Sequence, residues 1–250
     1  MAQADVMAQP PVTEHRWNGC RVGITGARGA LGQALARRFQ SAGAEVTGFT
    51  HSIPPMASDG PVHRWVQWTC GAEAELEPHL ADLDLLVLNH GINPHGDQSS
   101  AALDKALAVN ALSSWKLLQC CERISATSPE IGVLEVWVNT SEAEIQPAVS
   151  PAYEVSKRLL GQLVSLRGAI RTPEERSRLV LRKLVLGPFR SELNPIGVMS
   201  ADFVAGQILW QTSIGARLVI VTPNPLTYVL MPLTELARRT YSRWLNRPDP

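Results

Sequence analysis

Tyr153 and Lys157 stand at i and i+4 in Tyr153-Glu154-Val155-Ser156-Lys157, one turn apart on one helix face. The chain holds three tyrosines and four lysines, so chance pairing at this spacing is about a 5% event. An unperturbed phenol titrates near ~10. An ammonium one turn away favours the phenolate and lowers that value, giving a proton donor and acceptor usable near neutrality. The bland alternative is a packed tyrosine beside a lysine that reaches for solvent. It leaves unexplained why the pair follows a second motif in the chain.

That second motif is Thr25-Gly26-Ala27-Arg28-Gly29-Ala30-Leu31-Gly32. It lies between a short β-branched run, 21–25, and a helical pattern in which Leu31, Leu35 and Phe39 share one face. Backbone N–H groups at Gly26, Gly29, Leu31 and Gly32 are therefore expected to cradle a pyrophosphate at a helix N-terminus. An acidic residue at the end of the second strand would bind a ribose 2′-hydroxyl and repel a 2′-phosphate. Here that place holds Thr50, His51 and Ser52, and Arg28 offers a cation nearby, so the expected cofactor is NADP(H) in preference to NAD(H). The alternative for Arg28 is an exposed side chain touching nothing.

The elements that position these groups follow from the apolar pattern. Strands are expected at 21–25, 45–50, 62–68, 84–88, 133–138, 179–186 and 217–222, and helices at 102–124, 153–167 and 201–212. Continuous apolar strands separated by helices indicate a sheet covered on both faces. The expected fold is α/β, a Rossmann-type doubly wound parallel sheet in a single domain over 17–225, with a flexible tail at 1–16 and an amphipathic appendage at 226–250. With 250 residues, 45% of them apolar, the chain can build a substantial core. Lys+Arg and Asp+Glu are each 23, a balance unlike that of nucleic-acid binders. No apolar run reaches the ~18 residues of a membrane span, residues 1–16 lack a secretory pattern, and four scattered cysteines fit a reducing, cytoplasmic setting.

From about Arg21 to Leu193 the chain resembles the short-chain dehydrogenase/reductase family. The Gly-rich turn, Asn89-His90-Gly91 after the fourth strand, Asn110, a hydroxyl after the fifth strand and Tyr-x-x-x-Lys occur in that family's order. The resemblance implies hydride transfer between a nicotinamide and a carbonyl or alcohol. It makes Tyr153 the general acid/base and Lys157 the residue that lowers its pKa and holds the nicotinamide ribose. It makes Asn110 the support of a proton relay and Ser141 the hydroxyl that polarises the substrate oxygen. Asn89, His90 and Gly91 would line the adenosine side, and Pro188 and Ser191 the carboxamide side. Three features depart from the family. The glycines read TGxxGxxG, the spacing of the longer epimerase-like branch, without that branch's extra substrate domain. Thr140 or even Glu142 competes with Ser141 for the hydroxyl position. The lid after the sixth strand is short.

The resulting expectation is an NADP(H)-dependent oxidoreductase acting on a small carbonyl or alcohol substrate. A nucleotide-binding regulator or scaffold with little turnover is the alternative, and an epimerase or dehydratase a further option. Apolar residues around the helix at 102–124 suggest a homodimer or homotetramer. In the C-terminal segment, apolar residues adjoin Arg238, Arg239, Arg243 and Arg247, with Tyr241 and Trp244 among them. It packs on the domain or closes a neighbour's site, makes peripheral contact with a membrane, or is disordered.

Overall fold

A computed structural model describes residues 16–54, 60–127 and 132–245. Residues 1–15 of the expected tail, and Arg247, lie outside the described residues. Seven parallel strands form one sheet in the order β3-β2-β1-β4-β5-β6-β7. They are β1 (Arg21–Thr25), β2 (Glu45–Thr50), β3 (Arg64–Gln67), β4 (Leu85–Leu88), β5 (Leu134–Ser141), β6 (Leu179–Leu186) and β7 (Leu218–Val221). The doubly wound architecture expected from the sequence is the one observed. The chain builds outward from β1 to β3, then returns to lay β4 on the other side of β1. This reversal opens a crevice beyond the carboxyl ends of β1 and β4, where open α/β sheets bind ligands.

Both faces of the sheet are buried, which is why its strands read as apolar runs rather than alternating ones. Leu85 and Val87 of β4 enter one core with Phe39, Trp137 and Ile208. That core lies under α1 (Ala30–Ser41) and α7 (Ala201–Ser213). Leu86 and Leu88 enter the other, with Val136, Val138, Leu118 and Leu160. This second core is covered by α2 (Glu77–Leu80), α4 (Ser114–Thr127) and α5 (Pro151–Ile170). The long helix expected near 102–124 is three pieces. It begins at α3 (Ser100–Ala106), capped by the Ser99 hydroxyl, widens into a π-helical turn over Leu107–Ser113, and continues as α4. Single π-turns inside α-helices concentrate at functional sites. A short helix, α6 (Pro173–Arg178), held by a Thr172–Glu175 capping box, leads into β6.

The C-terminal segment forms α8 (Thr227–Leu245), which tolerates Pro232 within it. It packs along α5, with Met231 against Val185 of β6 and Ile220 of β7. Among the described residues no helix is long and apolar enough to cross a membrane.

Candidate active site

Gly26 leaves β1 at φ +64°, and a Cβ there would meet the His90 backbone at 2.9 Å. The two turns that wall the crevice therefore touch through a position only glycine fills without strain. Gly32 is required for a different reason, since its Cβ would fall 2.4 Å from the Gly26 carbonyl oxygen. Gly29 is the N-cap residue of α1 and supplies no side-chain cap, and the first turn carries no acidic residue. The first-turn N–H groups, Leu31's among them, are thus left unpaired by any cap, and the helix dipole favours an anion there. This cradle fits the pyrophosphate of a dinucleotide.

Beside the cradle, Thr25 Oγ1 accepts from the backbone N–H groups of Asn89 (2.9 Å) and His90 (3.2 Å). At the end of β2, Thr50 is buried and its Oγ1 accepts from the Ser52 backbone. His51 stacks on Trp68 with ring centroids 4.5 Å apart, and Trp68 meets His90 edge-on at 5.2 Å. Burial, reinforced by His51 and Lys157, pushes the His90 imidazole down to about 3, so it is neutral. The His90 imidazole is met by Thr25 and by the Val109 backbone, while Trp68 Nε1 is buried without a partner among the described residues. That is unspent polar capacity in the wall where an adenosine would lie. The exposed Arg28 reaches across the turn to the Ile53 carbonyl at 3.5 Å, which puts its cation at the end of β2.

Asn110 sits in the π-helical turn, fully buried. Its Oδ1 accepts from Ile92 N at 2.7 Å, and its Nδ2 donates to Ile92 O at 3.0 Å and to Ser156 Oγ at 2.9 Å. One carboxamide thus clamps the loop after β4 and ties it to α5, with Gly91 directly against it. Ser156 in turn donates to the Tyr153 carbonyl.

Tyr153 is half-buried on the first turn of α5, and Lys157 is buried one turn on. Lys157 Nζ lies 5.8 Å from the centre of the Tyr153 ring and donates to the Asn139 carbonyl at 3.0 Å. The Tyr153 phenol is held above its ordinary value, because burial and the nearby Glu142 carboxylate outweigh a hydrogen bond with Ser141. The lowering expected from Lys157 is not found, since that ammonium is turned to the Asn139 carbonyl. Burial also brings the Lys157 ammonium down to about 8, against the upward pull of Glu144. The two adjacent hydroxyls of β5 are distinguished by their partners. Thr140 Oγ1 donates across the sheet to Leu184 O at 3.1 Å, whereas Ser141 faces the phenol. Glu142 is engaged by Thr222 and Thr227.

Residues 22–165 match a family model described as NAD dependent epimerase/dehydratase family, more than half of the chain. The chain belongs to that family. It is similar to a monoglucosyldiacylglycerol epimerase from Synechocystis, 40% identical over 230 residues, which covers 90% of this chain and 54% of that protein. The chain thus spans about half the length of that curated relative. Among solved structures it resembles a short chain dehydrogenase from Burkholderia cenocepacia in complex with NADP. The TM-score is 0.73 at 17% identity, covering 93% of this chain and 99% of that one. A short-chain dehydrogenase from Sphingobium yanoikuyae in complex with NADPH gives a TM-score of 0.71 at 14% identity, over 92% and 98% of the two chains. These last two likenesses establish a common fold, that of the short-chain dehydrogenases. The TGxxGxxG spacing agrees with the epimerase/dehydratase assignment.

Around this family's nucleotide crevice the structure gathers Gly26, Gly29, Leu31, Gly32, Asn89, His90, Gly91, Asn110, Ser141, Tyr153 and Lys157. Pro188 and Ser191 lie on the loop after β6, where the Pro188 carbonyl accepts from Val198 N and Ser191 pairs with Asn194. Two residues escaped sequence reasoning. Asn139 holds Lys157 through its carbonyl and Asn89 through its amide (2.9 Å). Asn93 donates to the Leu193 carbonyl at 3.1 Å, linking the loop after β4 to the short lid. Asn139 adjoins Thr140-Ser141, a signal that could have flagged it; Asn93 carries none.

Proposed function

We propose that the chain is an NAD(P)-dependent epimerase that inverts a hydroxyl-bearing carbon on the sugar of a monoglycosyl diacylglycerol lipid. The observation that carries this reading is the meeting of Tyr153, Ser141 and Lys157 beside the phosphate cradle, in a chain of the epimerase/dehydratase family. The similarity to the Synechocystis epimerase supports the substrate class. When bound, the nicotinamide would supply reversible hydride acceptance, which lets a carbon be inverted with no net oxidation. Tyr153 takes the hydroxyl proton as the carbonyl forms and gives it back as the hydroxyl is restored. Ser141 donates to the sugar oxygen, holding it against the phenol. Lys157, anchored by Asn139, is placed to donate to the nicotinamide ribose beside the phenol. Asn110 positions the crevice wall through Ile92 and the tyrosine helix through Ser156. Arg28, placed at the end of β2 with no acid beside it, supports a preference for NADP(H).

The test is purified chain with NADP+ or NAD+ and detergent-dispersed monoglucosyl diacylglycerol, with sugar configuration read by NMR. Epimerised lipid with no lasting change in nicotinamide absorbance is the expected outcome. Stoichiometric accumulation of reduced cofactor and keto product would replace this reading with net oxidoreduction, the reaction expected from the resemblance to the dehydrogenases.

A further inference from the structure

α8 turns Glu235 and Arg238 inward and an apolar stripe outward, with Arg239 and Arg243 exposed at its C-terminal end. The side packed on the domain holds Glu235, Arg238 and Ser242 beside Met231. Glu235 accepts from Lys183 at 2.8 Å, and Arg238 pairs with Glu144 at 2.8 Å. Val229, Leu233, Leu236 and Trp244 recur at helical spacing on the opposite side, exposed by 59, 57, 63 and 67%. A surface helix of a soluble domain has the reverse arrangement, polar side chains outward. A contiguous exposed apolar stripe marks an interaction surface.

At the far end of this helix, away from the crevice, lies a cavity of about 150 Å³. Its lining includes Arg171, Arg176, Lys183, Arg217, Arg239 and Arg243, against the single carboxylate of Glu235. Several of these donors are unspent. Arg171 is buried with its Nε unpartnered. Arg239 approaches Glu235 only to 3.9 Å. The Arg217 and Arg243 guanidinium groups have no hydrogen-bond or ion-pair partner among the described residues. Lys183 is spent on Glu144 and Glu235, and Arg171 and Arg176 donate to backbone carbonyls. The cations left at the mouth are therefore Arg217, Arg239 and Arg243, a set suited to a phosphate-class anion.

We propose that α8 docks the chain on an anionic bilayer, its outer stripe in the interfacial layer and the basic cavity holding a phospholipid phosphate. Tyr241, 63% exposed, and Trp244 supply the rings that favour headgroup depth. A second copy of the chain is the poorer occupant. Two-fold pairing of this face would bury the stripe but offer the arginine-lined cavity no anion, whereas an anionic surface supplies one. The opposite end of α8 adjoins the site, where Thr227 bonds Gln146 (2.7 Å) and Glu142 (3.3 Å) just after Ser141. The docked helix, about 28 Å long, would therefore hold the crevice at the surface where a glycolipid sugar lies. In this respect the inference rests on the proposed substrate class, although the stripe and cavity stand without it.

The experiment is co-sedimentation of the full chain with phosphatidylcholine vesicles, with and without phosphatidylglycerol. Binding is expected to require the anionic lipid. The double substitution Arg217→Gln/Arg243→Gln should weaken it about thirtyfold, at ~1 kcal/mol per cation, and Leu233→Ser/Leu236→Ser should weaken it independently. All four positions lie at the surface, and unchanged cofactor affinity checks that each variant folds. Equal partition of wild type and variants, or none of any, overturns the proposal. So does thermal stabilisation by inorganic phosphate without vesicle binding, which would make the cavity a site for a soluble anion. A dimer abolished by Leu233→Ser/Leu236→Ser, again without vesicle binding, would assign the stripe to a second copy and overturn it too. Turnover of detergent-dispersed lipid, run in parallel, separates the two readings. Turnover without vesicle binding defeats docking alone, and binding without turnover defeats the activity alone.

Discussion

Replacing Asn110 with leucine keeps the side-chain volume and removes three hydrogen bonds from a fully buried position. The Ile92 N–H and C=O then lose their partner, at about 1–3 kcal/mol for each polar group left unpaired. Ile92 is half-buried at the crevice edge, so water can re-pair part of this loss, which sets the expected destabilisation at about 2–4 kcal/mol. Because Ile92 follows Gly91 directly, a shift in that loop moves the adenosine wall. Cofactor affinity should fall about tenfold for every 1.4 kcal/mol of lost positioning. Asn110→Asp separates the carboxamide's two roles. Its carboxylate still accepts from Ile92 N–H but faces the Ile92 carbonyl with a second acceptor. Protonation restores a donor, so the folded-state pKa of the new carboxyl rises above its unfolded value near ~3.9. Its stabilising contribution is full below that unfolded value and lost as pH rises through the folded one. Urea unfolding followed by tryptophan fluorescence, with NAD(P)H titration, measures both effects. Asn110→Leu within about 0.5 kcal/mol of wild type, with unchanged cofactor affinity, would refute the clamp.

Tyr153→Phe should lower epimerisation by about 10²–10⁴-fold while leaving cofactor affinity intact, and Lys157→Ala should damage both; steady-state rates and cofactor titration decide. Arg28→Ala should weaken NADPH about tenfold relative to NADH, the value of one exposed charge-assisted bond, and equal losses would return Arg28 to a surface role. Lys183→Met leaves Glu144 with Arg238, and Glu235 with Arg238 and the more distant Arg239, so thermal and urea unfolding should show a loss of about 3–5 kcal/mol. Burial pushes the Glu235 carboxyl up, but Lys183, Ser165 and Arg238 outweigh it and hold the group below its ordinary value. That stability is full above the unfolded pKa of ~4.3 and lost as pH falls through the folded one. Acid unfolding curves should therefore lose part of this pH dependence in Lys183→Met.

Much of this protein was legible in one dimension. Strands buried on both faces are mostly apolar runs, so β4 (LLVL) reads directly, and β1, β2 and β6 read through despite a charged or polar residue in each. Gly26 and Gly32 follow from backbone sterics, and the Tyr153–Lys157 face from the 3.6-residue period, each a local constraint that sequence records directly. The tertiary structure decided what depends on pairing across distance. Thr140 and Ser141 are chemically alike neighbours, and only the β5–β6 register, which commits Thr140 to Leu184, leaves Ser141 to the phenol. The π-helical turn has no propensity signature, because the geometry of the Asn110 clamp rather than residue type defines it. In α8 the sequence shows apolar and basic residues together without saying which side faces inward. That choice was made by Lys183 and Glu144, buried charges contributed by β6 and the loop after β5, which draw Glu235 and Arg238 inward and turn the apolar side of the helix out.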